Sequence, residues 1–183
     1  MKILVDAMGG DRAPEEIVKG ADKASKDFGL DVILIGNEDK TKPYMKSIGS
    51  SLEVIHAEEV ITNDEQPVAA IRQKKDSSIV KGLQLLKEGK VQAMVSAGST
   101  GALMAGGLFI VGRIKGIDRP AIATVFPATK GPILLLDIGA NSEAKPKNLV
   151  QFALMGSIYA EEILKIQNPS VGLMNIGVEE EKG

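Results

Sequence analysis

The sequence has no cysteine and a single histidine, His56, in 183 residues. Without thiolates it can build neither disulfides nor sulfur-ligated metal sites, and it offers no cysteine nucleophile. One imidazole cannot make a histidine-rich zinc site, and Asp6, Asp11, Asp137 and Glu143 fall at no ligand spacing, so no metal is expected. His56 itself, ending an apolar run beside an acidic stretch, reads as structural. Tryptophan is absent and aromatic residues make up 3% of the chain, which leaves little to stack on single-stranded nucleic acid. A net charge of −2 provides no basic face for a duplex, so nucleic acid is not an expected partner. Neither the Gly-x4-Gly-Lys-Ser/Thr phosphate loop nor the Gly-x-Gly-x-x-Gly fingerprint occurs, and no cofactor is expected.

Long apolar runs are also scarce. Ala93 to Gly112 is twenty residues without a charge, but it holds five glycines and the hydroxyls of Ser96, Ser99 and Thr100. It reads as a buried strand, a turn and a buried helix rather than a membrane span. The start, Met1-Lys-Ile-Leu-Val-Asp6, carries an acid too early for a signal peptide, so a cytoplasmic setting is expected.

What is present is ordinary globular composition, 44% hydrophobic and 25% charged. Short apolar runs alternate with helical periodicity. Strands are expected at 2–5, 31–36, 52–56, 91–95, 121–126, 133–136 and 170–176. Helices are expected from Pro14 to Gly29, after Asn37 (with Pro43 interrupting it), from Pro67, over 79–88, from Thr100, and from Pro146 along the Leu149, Phe152, Gly156, Tyr159, Ile163 face. This alternation predicts a single α/β domain over 1–183, three-layer α/β/α with a largely parallel sheet. In such sheets ligands bind beyond the carboxyl ends of the strands. The turns after Val5, Val95, Leu136 and Asn175 are then expected on one rim.

The stretch Met94 to Gly107 carries the clearest chemistry. A strand breaks at Ser96-Ala97-Gly98-Ser99, and a helix of small residues resumes at Thr100, with Gly98 and Gly101 permitting close backbone approach. Such a helix start leaves N–H groups unpaired and suits an anion. Turn and capping chemistry alone is the competing reading. The turn Asp6-Ala-Met-Gly9-Gly10-Asp11 either lines the opposite wall or simply leads into a helix. Arg72, Lys74 and Lys75 are a basic helix end, with Arg72 and Lys75 the candidates for an anionic ligand. Asn141 is either a donor at a strand end or an Asx turn, and Lys145 either neutralises charge or decorates a helix start.

Val5-Asp-Ala-Met-Gly-Gly-Asp11, Arg72-Gln-Lys-Lys-Asp-Ser-Ser78, Ser96-Ala-Gly-Ser-Thr-Gly-Ala-Leu-Met-Ala105, Gly107-Leu-Phe-Ile-Val-Gly-Arg113, Leu136-Asp-Ile-Gly-Ala-Asn141, Lys145-Pro146 and Leu149-Val-Gln-Phe-Ala-Leu-Met-Gly156 together resemble the bacterial phosphate acyltransferases of fatty acid and phospholipid synthesis. Ser99 stands where that family typically has Asn. The resemblance implies acyl transfer from acyl carrier protein to inorganic phosphate, and a fold like the isocitrate and isopropylmalate dehydrogenases. It further implies a homodimer, and a cytoplasmic enzyme that associates peripherally with the membrane. It implies as well that this chain is the N-terminal part of a longer one. On it, Thr100, Asn141 and Lys145 are the expected catalytic residues. Asp6, Gly9, Gly10, Asp11, Arg72, Lys75, Ser96, Gly98, Ser99 and Gly101 are expected to bind phosphate or substrate. The rival expectations are a catalytically incomplete anion-binding or carrier-docking module, and a dehydrogenase of the same fold.

Overall fold

The computed structural model describes residues 1–141 and 143–174. The chain divides into two compact units, Met1–Gly112 and Arg113–Gly183.

The first unit is built on a four-stranded parallel sheet of β1 (Lys2–Asp6), β2 (Asp31–Gly36), β3 (Glu53–His56) and β4 (Ala93–Val95), in the order β3-β2-β1-β4. β1 and β2 are continuous apolar runs because both their faces are covered. On one face α1 (Glu15–Phe28) and α2 (Glu38–Ile48) bring Val18, Ala21 and Met45 against Val32 and Leu34. On the other, α4 (Ser78–Lys87) lays Leu85 and Leu86 over Leu4, Ile33 and Ile35. Outside α4, α3 (Pro67–Gln73), α5 (Thr100–Gly106) and a π-helical turn (Gly107–Val111) form a further cluster around Ile71, Val80, Leu83 and Ala102. Helices thus cover both faces of the sheet, as the alternation predicts.

The helix ends follow their sequence signals. Ser77 Oγ accepts from Val80 N at the start of α4, and Asn37 Oδ1 accepts from Lys40 N at the start of α2. Gly29 closes α1 in the left-handed conformation, φ 63°. Pro43 does not interrupt α2. It sits inside the helix on an exposed face, and the carbonyl it leaves unpaired, that of Asp39, belongs to another exposed residue.

The second unit contains β5 (Ala123–Phe126) and β6 (Ile133–Leu136), paired antiparallel, and the long helix α6 (Pro146–Glu162). This corrects the single rim. β6 belongs to a separate two-stranded sheet, so the turn after Leu136 does not follow a strand of the parallel sheet. The connection, residues 127–132, is too short for a parallel crossover, which needs a dozen residues or more. Residues 170–174 form no strand, and Asn175 lies outside the described residues. Within α6, Phe152 and Ala160 are buried, whereas Tyr159 and the C-cap residue Ile163 are exposed. Buried Gln151 accepts from Asp118 N at 3.0 Å and donates to the Gly116 carbonyl at 2.7 Å, fastening the 116–118 loop to the helix.

No helix among the described residues is long and apolar enough to cross a membrane.

Candidate functional site

The order β3-β2-β1-β4 makes the gap between β1 and β4 the point where the chain changes direction across the sheet. The chain leaving the carboxyl ends of these two strands runs on to helices on opposite faces of the sheet, α1 on one and α5 on the other. The loop after β1 and the loop after β4 meet at this point. Gly9 packs directly on the second loop: a Cβ built on it would lie 2.5 Å from Gly98 N and 2.9 Å from Ser96 Oγ. Only glycine allows that approach.

Above this contact is an open, polar cleft of about 860 Å³, lined by Gly10, Asp11, residues 63–67 and residues 97–101. Six of the residues expected from the sequence therefore come together: Gly10, Asp11, Gly98, Ser99, Thr100 and Gly101. Ser99 is the N-cap of α5, and its Oγ accepts from Ala102 N at 3.3 Å. That occupies the side chain in capping. The N–H groups of Thr100 and Gly101 make no hydrogen bond among the described residues, as the first turn of a helix requires. Thr100 is exposed, so its hydroxyl is open to the cleft's solvent.

Three further expected residues lie beneath the cleft. Asp6 is 1% exposed. Its Oδ2 accepts from Ser96 Oγ at 2.7 Å and its Oδ1 from Met8 N at 3.0 Å. Ser96 Oγ in turn accepts from Gly98 N at 3.1 Å. Asp6, Gly9 and Ser96 thus form the floor that joins the two loops, and are not among the lining residues.

The wall formed by Asn63, Asp64, Glu65, Gln66 and Pro67 is absent from the sequence-based reading. Its packing is set by Lys74, whose Nζ donates to Glu65 Oε1 and to the Val60 carbonyl, each at 2.7 Å. Glu65 also accepts from Thr62 N at 2.7 Å and from Thr62 Oγ1 at 3.0 Å. The Lys74 ammonium, followed by the Thr62 N–H, holds the Glu65 carboxyl down at about 2. Asp64 is also lowered, chiefly by its bond with Thr62. The cleft therefore carries three carboxylates, Asp11, Asp64 and Glu65, and Lys74 is the cation bound to one of them. Of the basic cluster, Lys74 rather than Arg72 or Lys75 reaches a cleft residue. Arg72 is exposed on α3, and Lys75 Nζ turns back to the Ile71 carbonyl at 3.2 Å. The one signal for this in the sequence is an acid-rich stretch ahead of a basic helix end, a pattern that also fits an ordinary solvated turn.

Asn141 and Lys145 belong to the second unit. Asn141 Nδ2 donates to the Pro120 carbonyl at 2.9 Å and to Asp137 Oδ2 at 2.8 Å, so both amide hydrogens are used in the turn. Asp137 also accepts from Ile122 N, Ala140 N and Asn141 N. Burial pushes the Asp137 carboxyl up, but these hydrogen bonds outweigh it and hold its pKa below the usual carboxylate value. Lys145 precedes α6, where its backbone N–H donates to Asn148 Oδ1 at 3.0 Å, and its side chain is exposed.

Comparison with known proteins bears on what this arrangement does. The family described as fatty acid synthesis protein matches residues 1–183. A phosphate acyltransferase of Thermoanaerobacterium thermosaccharolyticum is 56% identical over 183 residues, covering all of this chain and 55% of that protein. One from Heliobacterium modesticaldum is 57% identical over 187 residues, covering 100% of this chain and 56% of that protein. The chain thus spans about half the length of the curated relatives it matches. Among solved structures, a phosphotransacetylase from Streptococcus pyogenes aligns with a TM-score of 0.66 at 20% identity, over 91% of this chain and 55% of that one. At that identity the likeness shows a shared fold, an α/β architecture with a mostly parallel sheet.

Proposed function

We propose that this chain, which belongs to the fatty acid synthesis protein family, is the N-terminal portion of a phosphate acyltransferase. In this reading an acyl group passes from the thioester of acyl carrier protein to inorganic phosphate. A phosphate oxygen bonds to the acyl carbon, the carbon–sulfur bond breaks, and the carrier thiol leaves. The observation that carries the reading is the cleft where the loops after β1 and β4 meet, in which the Thr100 and Gly101 N–H groups make no hydrogen bond among the described residues, in a chain whose relatives are named for this activity.

The residue supply suits direct attack. There is no cysteine in this chain, and among the described residues the lone histidine, at the end of β3, has no serine partner. The described residues of this chain therefore give a covalent acyl-enzyme little support. Phosphate near neutral pH is already an anion and needs positioning more than a base. The first-turn N–H groups of α5 and the Thr100 hydroxyl supply it with donors. A helix start contributes about 0.3–1 kcal/mol to a bound anion when exposed and nearer 2 when partly buried. Asp11, Asp64 and Glu65 also line the cleft, and their charges oppose an anion there, so the α5 donors have to outweigh that repulsion.

For Asn141 and Lys145 the proposed role, stabilising developing charge, rests on the family resemblance alone. The same holds for Arg72 and Lys75 as contacts for phosphate or an acidic carrier protein. The resemblance likewise underlies the homodimer, the cytoplasmic setting, the peripheral membrane association, and the closer kinship of the fold to the isocitrate and isopropylmalate dehydrogenases. The single α/β domain over 1–183, which would embrace both units, is likewise a proposal.

The test mixes this chain with a long-chain acyl-carrier-protein thioester and phosphate, and traps acyl phosphate with hydroxylamine. Phosphate-dependent hydroxamate supports the enzyme. No product, with a melting temperature that phosphate still raises by mass action, would identify a catalytically incomplete anion-binding module. No product and no shift would overturn the anion site.

A further inference from the structure

Asp6 is a buried carboxylate whose partners among the described residues are two neutral donors, Ser96 Oγ and Met8 N, and no cation. Burying such a charge is costly unless what it holds compensates. What it holds is the second loop. The Ser96 hydroxyl gives its only proton to Asp6 and receives the Gly98 N–H, so one chain of bonds runs from the buried end of β1 to a residue of the cleft. A hydroxyl has one donor, and here it is spent. Ser96 is therefore in no position to donate to a ligand, and a carboxylate beneath it would repel a phosphate that came close. Neither residue is suited to bind the anion. Both are suited to aim the peptides that do.

We propose that Asp6 is a positioning residue. Acting through Ser96, it fixes the Gly98 peptide and so presets the turn that delivers the N–H groups of α5 to the cleft. The negative charge matters, because a charged acceptor orients the Ser96 proton toward itself and leaves the hydroxyl's lone pair for Gly98. An asparagine at position 6 can offer its amide donor instead and reverse that direction. This inference rests on the phosphate reading of the cleft.

The experiment uses Asp6→Asn, Ser96→Ala and the double variant of this chain, with two readouts. The first is hydrogen exchange of the Gly98 amide, which needs no ligand. The second is the phosphate concentration giving half the maximal rise in melting temperature. Either single change should release Gly98 to exchange and weaken phosphate about ten-fold, the worth of one hydrogen bond, and the double variant should lose no more than either single one. Gly98 protection unchanged in Ser96→Ala would overturn the relay, and this half-buried truncation keeps the test available if Asp6→Asn does not fold. Losses that multiply in the double variant would mean that the two residues act separately. A lower melting temperature with unchanged phosphate affinity would reduce Asp6 to a structural role. Wild-type protein that takes no phosphate would overturn the phosphate reading, and this role with it, while the exchange result still reports whether Asp6 holds the turn.

Discussion

Gly9 and Gly98 are in backbone contact, so close that a Cβ on Gly9 would stand 2.5 Å from the Gly98 nitrogen and 2.8 Å from Asp6 Oδ2. The two loops that form the cleft are therefore one packed object, and neither can shift alone. Gly9→Ala should push them apart, costing about 1–3 kcal/mol as overpacking does and abolishing any phosphate-induced rise in melting temperature. Gly20, inside α1 with nothing within 4 Å, is the control. Gly20→Ala should stabilise the chain by about 0.5–1 kcal/mol. Urea midpoints of both variants check the pair, and equal effects would mean that the loop contact carries no strain when filled.

The wall of the cleft should withstand acid. The Lys74 ammonium and the Thr62 donors hold Glu65 at about 2, against an ordinary glutamate value of 4.5. A carboxyl depressed in the folded state contributes stability that is whole above its unfolded value and is lost as pH falls through its folded value. The gap in urea midpoint between wild type and Glu65→Gln should accordingly be constant from pH 8 to about 5, narrow below 4.5, and close near 2. A gap that stayed constant to pH 3 would show that the Glu65 charge does not hold the wall.

The fold of the first unit was legible because its signals are local. Ile3-Leu4-Val5 and Val32 to Ile35 are apolar runs, and the helix starts at Ser77 and Ser99 are marked by capping hydroxyls. Two expectations differ from the structure for physical reasons. Pro43 is expected to interrupt α2, whereas the carbonyl that its missing N–H orphans lies on a solvent-facing turn and can bond to water. The turn after Leu136 is expected on the common rim, whereas the connection between β5 and β6 is short enough to demand an antiparallel pair.

The site was legible in its glycines and hydroxyls and hidden in its long-range partners. Nothing in the spacing of Asp6 and Ser96, ninety positions apart, announces a shared proton. The choice among Arg72, Lys74 and Lys75 depends on which way each side chain points at and just beyond the end of α3, and for Lys74 that is decided by the Glu65 and Val60 acceptors on a different segment.

Pro43 also gives a measurable consequence. Its exposed position inside α2 leaves the rest of that helix intact, so Pro43→Ala restores a backbone donor without disturbing a packed contact. It should raise stability by about 1–3 kcal/mol, up to the full helix-interior penalty of proline. Destabilisation in a urea titration would show that the proline is needed where it stands.

Thr100 and Asn141 separate positioning at the cleft from construction of a turn. Thr100 is exposed and lines the cleft, and its hydroxyl is the donor that Thr100→Ala removes while the backbone N–H stays, so the change should leave the melting temperature unchanged and, in a full-length context, lower turnover ten-fold or more, on the scale of a lost oxyanion donor. Asn141 has given both amide hydrogens to Pro120 and Asp137, so Asn141→Ala should cost about 1–3 kcal/mol in stability. It also removes one of the bonds that hold the Asp137 carboxyl below its usual range, and burial, the opposing effect, is left to act more strongly. The Asp137 titration, followed by carboxyl NMR, should therefore move to higher pH in Asn141→Ala and stay fixed in Thr100→Ala. If turnover falls in Asn141→Ala while stability and the Asp137 titration are both unmoved, the amide is acting on substrate, and the turn does not depend on it.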